Sequence, residues 1–211
     1  MTLRPVLLSL LLATGPLALP AMAEESGATH GEVAEMTKAE HAVWTRLLAS
    51  YVQEGTDGVT RVYYAALKAN AADRSTLDTY IASFVNRDLS GTDAAAFAAW
   101  ANLYNAVTVR HIVERYPLGS IRDGYLFGGP WKKVKVIADG REVSLDAIEH
   151  DILRKRFNDP RVHYAINCAS YSCPNLLPKA WEAATLDADL DAAARAYVNH
   201  PRGVDPGRNG L

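Results

Sequence analysis

Two cysteines, five positions apart, are the side chains of this sequence best suited to covalent chemistry. Cys168 and Cys173 are the only cysteines among the 211 residues. In an exported chain, an even number of cysteines favours a disulfide, here one that closes a short loop. The spacing differs from the C-x₂-C of thioredoxin-type redox pairs and zinc knuckles. The alternative is that Cys168 is a thiolate nucleophile, and both interpretations stay open.

A thiolate nucleophile needs a base within hydrogen-bond reach. The alternating pattern of residues 162–167 predicts a strand that ends at Cys168, and in such a strand His163 points away from the cysteine. His150 lies on the flank of a predicted helix beside that strand and is the candidate base, although a surface histidine is the simpler interpretation. Glu149 precedes it as a further candidate site residue, but it points elsewhere on the helical wheel and is not an automatic orienter of the imidazole. We therefore predict that His150 lies closer to Cys168 than His163 does.

Two asparagines lie three residues apart beside the apolar run of a predicted long helix. Asn102 and Asn105 would face inward, where an unpaired amide costs about 1–3 kcal/mol. They either brace a loop through backbone hydrogen bonds or line a site and stabilise an oxyanion. In both cases we expect them near the turn that contains the cysteines, over residues 168–174.

Periodic apolar residues predict the elements that hold these side chains. Helical stripes follow residue 44 and residue 77, and a long helix over residues 94–115 begins after a capping Asp93 and stops before Pro117. The second half predicts a β-hairpin around Asp139 and Gly140, a short helix over residues 145–156 capped by Ser144, the strand at 162–167 and a last helix with Leu186. This order predicts an α+β fold, in which an N-terminal helical layer packs on a small antiparallel sheet.

The first residues and the overall charge indicate the class of protein. Residues 1–23 have the basic start, short apolar core and Ala-x-Ala end of a signal peptide, whereas a membrane anchor would need a longer apolar run. Residues 24–36 read as a flexible lead-in, and residues 37–211 as a single domain. The composition is 49% hydrophobic with a formal charge of −2, which is unlike a nucleic-acid-binding protein. We therefore expect a periplasmic or secreted protein with no membrane span after removal of the signal.

Three blocks of sequence resemble the DUF547 family of uncharacterised proteins. They are WANLYNA at 100–106, LDAIEHDILR at 145–154 and DPRVHYAINCAS at 159–170, the last followed by SCP at 172–174. The resemblance extends over residues 44–204. The order of helix and strands is also loosely similar to the papain and transglutaminase group, where the nucleophile begins an early helix. Members of DUF547 continue beyond the equivalent of Val204, so the resemblance implies a domain truncated at its C-terminus.

Two functions from different classes are compatible with these residues. The first is an exported cysteine-dependent enzyme of acyl-transfer or hydrolytic type, with Cys168 as nucleophile, His150 as base and Asn102 or Asn105 stabilising the oxyanion. The second is a non-catalytic periplasmic binding or assembly module in which the same polar cluster is structural. The sequence contains no cofactor or metal motif, and the expected partner is a small molecule or a peptide.

Overall fold

A long central helix organises the fold. The computed structural model describes residues 30–126 and 128–204. Helix α4 spans Ala94–Arg115, and the Asp93 carboxylate caps it by accepting a 2.8 Å hydrogen bond from the Ala96 amide. Its buried residues lie on all sides of the helix, from Ala96 to Val113, because other elements surround it. The predicted bounds of this helix are confirmed.

Three helices from the first half pack around α4. They are α1 (His30–Tyr51), α2 (Tyr64–Ala69) and α3 (Ala71–Ala82), and each contacts α4. The apolar stripes predicted on α1 and α3 are buried. Trp44 of α1 stacks on Tyr80 of α3 with 5.7 Å between the ring centroids. The helical layer is therefore confirmed.

The strands form two separate antiparallel pairs. Strands β1 (Val52–Glu54) and β2 (Thr60–Val62) make one pair, and β3 (Lys135–Ala138) and β4 (Arg141–Ser144) make the other. Asp139 and Gly140 join β3 to β4 with φ of 53° and 68°, which is the backbone of a tight hairpin turn. The α+β class and the second hairpin are confirmed, but the single sheet is replaced by two hairpins.

A π-helix follows the second hairpin. The Ser144 hydroxyl accepts a 3.1 Å hydrogen bond from the Ala147 amide, as predicted for a cap. The next residues, Ala147–Leu153, form the π-helix, and α5 (Arg154–Arg156) continues it. The predicted short helix is present, but its wider turn changes which side chains lie side by side.

The predicted strand over residues 162–167 is wrong. Residues Val162–Ala165 form the short helix α6, and an extended segment leads from it to the cysteines. The Ala165 carbonyl accepts hydrogen bonds from the Asn105 amide and the Trp181 indole, both of 2.9 Å. These two side chains supply the hydrogen bonds that a neighbouring strand would otherwise donate to this carbonyl. The last two elements among the described residues are a 3₁₀ helix (Ala183–Thr185) and α7 (Leu186–Val198).

The expected signal peptide lies outside the described residues. Helix α1 begins at His30, so it includes the last part of the segment expected to be a flexible lead-in. Within the described residues, no helix is both long enough and apolar enough to cross a membrane.

Candidate functional site

A cavity of about 650 Å³ brings together three of the predicted site residues. Cys168, His150 and Glu149 all line it. They come from two segments, the π-helix and the extended segment after α6. The other described lining residues belong to the loop before β3 and to the residue before the π-helix: Gly128, Gly129, Trp131, Lys132, Lys133 and Asp146.

Backbone hydrogen bonds fasten the loop before β3 to the start of the π-helix. The Asp146 amide donates to the Trp131 carbonyl at 2.9 Å, and the Leu145 amide donates to the Val134 carbonyl at 3.2 Å. Gly129 has a φ of +71°, and a β-carbon at this position would collide with the Trp131 ring. The Trp131 indole therefore packs directly against the Gly129 backbone. The backbone hydrogen bonds fix the position of this loop relative to the start of the π-helix.

The π-helix places Glu149 and His150 at the same cavity. A regular helix was expected to separate these neighbours around its circumference, and the observed lining corrects that expectation. The Glu149 carboxylate forms a 2.9 Å ion pair with Arg154 and lies 3.5 Å from the Tyr104 hydroxyl. Burial raises the pKa of Tyr104, and the charge of Glu149 raises it further. Tyr104 therefore stays protonated and able to donate to this carboxylate.

His150 and His163 have different surroundings. His150 is exposed at the cavity, whereas His163 is not among the described lining residues and its ring contacts the rings of Tyr164 and Tyr197. Desolvation lowers the pKa of His163, and the charge of Arg154 lowers it further. The shorter distance predicted from His150 to Cys168 stays a prediction, which now rests on the shared cavity because the strand does not exist.

Cys168 and Cys173 form a disulfide with their α-carbons 6.1 Å apart. Cys168 is half-buried at the cavity, and Cys173 is buried. The first of the two interpretations of the cysteines is therefore the one seen. Cys168 is not a free thiolate in this form of the protein, and its proposed nucleophilic role requires reduction.

Both asparagines brace loops. Asn102 donates to the Trp181 carbonyl at 2.8 Å and accepts from the Trp181 amide at 2.9 Å. Asn105 donates to the Ala165 carbonyl at 2.9 Å and accepts from the Asn167 amide at 2.8 Å. Both are buried, and neither is among the described residues lining the cavity. The geometry thus gives no support to the oxyanion role and assigns the bracing role instead.

Asn105 is nevertheless connected to the cysteine turn through Asn167. It holds Asn167, whose own side chain donates to the Pro174 carbonyl at 2.7 Å and accepts from the Ala169 amide at 2.8 Å. These bonds span the turn at residues 168–174. The predicted proximity of Asn105 to this turn is confirmed, whereas Asn102 braces a different segment.

Sequence reasoning missed the loop before β3. Gly128, Gly129, Trp131, Lys132 and Lys133 of this loop line the cavity, and none of them was among the residues predicted for the site. The consecutive glycines, both with positive φ, were the signal that this segment forms a special loop. Among residues 30–126 and 128–204, no cluster of histidine, cysteine and carboxylate side chains could hold a metal ion.

Comparison with known protein families places the chain. Residues 66–198, more than half of the sequence, match the family model described as "Protein of unknown function, DUF547". The chain belongs to the DUF547 family. The match begins in α2, ends with α7 and contains the three blocks on which the resemblance was based. No curated protein and no solved structure matches the chain. Within this DUF547 domain lie all the described residues that line the cavity.

Proposed function

We propose that this DUF547 protein is an exported, cysteine-dependent enzyme of the acyl-transfer or hydrolytic type. The observation that carries the proposal is the common cavity of Cys168, His150 and Glu149. A nucleophile and a base must face the same substrate volume, and this cavity supplies that volume. The π-helix that presents two of the three adds support, since π-helical turns occur frequently at functional sites.

Catalysis would begin from the reduced protein. A dithiol reductant would supply two electrons and two protons, converting the disulfide to the Cys168 and Cys173 thiols while being oxidised to its own disulfide. His150 would then accept the Cys168 proton as the thiolate attacks the substrate carbonyl carbon. Donation of that proton to the leaving amine or alcohol leaves a thioester, which water hydrolyses with His150 again acting as base. Glu149 lines the same cavity and forms an ion pair with Arg154, and it transfers no proton in this scheme.

A non-catalytic binding module is the second candidate function. The closed Cys168–Cys173 disulfide favours it, because an oxidised Cys168 has no nucleophile to offer. The bracing roles of Asn102 and Asn105 favour it as well. In this alternative the same cavity holds a small molecule or a peptide without reaction.

Alkylation of Cys168 distinguishes the two functions. Cys173→Ser leaves Cys168 without its disulfide partner, so iodoacetamide can label it without reductant. If His150 activates the thiol, His150→Gln in this background should slow labelling at pH 7 about tenfold, the effect of raising the thiol pKa by one unit. His163→Gln is the matched control and should leave the rate unchanged.

Equal labelling rates in both histidine variants would refute the role of His150 and favour the binding module. The same comparison of the two histidine variants is repeated in the reduced protein that retains Cys173. The labelled peptides are identified by mass spectrometry. This repeat guards against a folding defect in Cys173→Ser. Export is tested separately, by determining the N-terminal residue of the protein recovered from the periplasm or the medium. An unprocessed N-terminus would contradict cleavage after Ala23.

A further inference from the structure

The charges around the cavity are unevenly balanced. Lys132 and Lys133 both line it, and neither has an ion-pair partner among the described residues. Two carboxylates, from Asp146 and Glu149, also line it, but Arg154 pairs with Glu149. Among the described lining residues, the charges without an ion-pair partner are therefore two cations, Lys132 and Lys133, and one anion, Asp146.

The two lysines belong to a loop whose backbone is fixed by hydrogen bonds. The Lys133 amide donates to the Pro130 carbonyl at 2.8 Å, and the Asp146 amide fastens the neighbouring Trp131 carbonyl. The Trp131 side chain is partly buried and packs against the core. This side of the cavity thus combines the apolar surface of Trp131 with two adjacent cations. Cys168 lines the cavity from a different segment of the chain.

We propose that the cavity selects acyl substrates that carry a negative charge next to the reacting carbonyl. This inference rests on the proposed function and names its substrate class: peptides with an acidic side chain or a free carboxylate adjoining the cleaved bond. Unpaired cations in a concave site raise the local concentration of anions. Trp131 would contact the apolar part of such a substrate, with the lysines holding its carboxylate.

Two alkylating reagents of different charge test the electrostatic part directly. In the Cys173→Ser protein, the rate with iodoacetate, an anion, is divided by the rate with neutral iodoacetamide. The same ratio for the urea-unfolded chain serves as the reference. We expect the ratio to be higher in the folded protein and to fall about two- to tenfold in the Lys132→Gln/Lys133→Gln variant, the range for two charges within about a Debye length of the thiol.

A matched control uses lysines that do not line the cavity. Lys135 pairs with Glu142 and Lys179 pairs with Asp189, so Lys135→Gln/Lys179→Gln removes the same charge elsewhere. It should leave the reagent ratio unchanged. The iodoacetamide rate should be unaltered in the control and should fall in Lys132→Gln/Lys133→Gln, because losing nearby cations raises the thiol pKa. This loss of thiolate affects both reagents equally and cancels in the ratio. An unchanged ratio in Lys132→Gln/Lys133→Gln would overturn the inference, as would an equal fall in the control.

Substrate chemistry is tested by protection from labelling. Acetylated tripeptide amides with a central Glu, Gln or Lys are added at equal concentration. The Glu peptide should slow iodoacetamide labelling most, and this preference should disappear in Lys132→Gln/Lys133→Gln. Equal protection by the three peptides would refute the substrate class. The outcome is independent of the His150→Gln result, so failure of this inference and failure of the proposed function can be told apart.

Discussion

Replacing Asn105 by leucine should loosen the turn that holds the cysteines. The side chain is buried and connects α4 to the Ala165 carbonyl and the Asn167 amide by hydrogen bonds of 2.9 and 2.8 Å. Losing the bond to the Ala165 carbonyl costs about 1 kcal/mol, and leaving the Asn167 N–H without its partner costs about 1–3 kcal/mol. The Ala165 carbonyl keeps its bond from Trp181. The expected total loss of stability is about 2–4 kcal/mol.

Two measurements follow this variant. Urea unfolding gives the change in free energy, and thermal unfolding should show a decrease in Tm of about 5–15 °C. In the Cys173→Ser background, the iodoacetamide rate of Cys168 should also change, because Asn167 no longer has the contact that positions the turn.

Asn102→Leu is the control for this prediction. Asn102 is as buried as Asn105 and also makes two backbone hydrogen bonds, but to Trp181. It should lose similar stability without altering the labelling of Cys168. If Asn105→Leu leaves both the stability and the labelling rate unchanged, the bracing role is refuted. If the two leucine variants alter labelling equally, the effect is not specific to the cysteine turn.

Three further predictions concern the disulfide, a buried histidine and the cavity wall. Reducing the wild-type disulfide should lower the free energy of unfolding by about 2 kcal/mol, from the lost constraint on a short loop; urea curves with and without reductant that coincide would contradict this. Burial lowers the pKa of His41 to about 4 from 6.5, so the unfolded chain binds more protons between these values and stability should fall by about 3 kcal/mol as the pH drops from 6.5 to 4. His41→Gln should flatten that part of the stability profile, and an unchanged profile would rule out His41 as its source. Gly129→Ala should displace Trp131 and alter near-UV circular dichroism and Cys168 labelling, whereas Gly140→Ala, also at positive φ but with open space around it, should affect neither.

Local sequence signals determined much of the scaffold. The cap at Asp93 and the stop before Pro117 determined the bounds of α4, and the turn at Asp139 and Gly140 determined the second hairpin. These features depend on interactions within a few residues along the chain, such as a capping hydrogen bond or a backbone that favours positive φ. The sequence could therefore predict them, together with membership of the DUF547 family.

Only the tertiary structure decided how the site is assembled. The alternation at residues 162–167 suits a strand, but a strand requires a neighbour, and Asn105 and Trp181 satisfy the Ala165 carbonyl instead. Those partners are 60 and 16 residues away, so no local pattern reveals them. The placement of Glu149 and His150 at one cavity depends likewise on a π-helical turn. The closure of the disulfide depends on the hydrogen bonds by which α4 holds the segment before Cys168. Sequence alone identified the reactive residue types, while long-range hydrogen bonding and packing determined which of them meet.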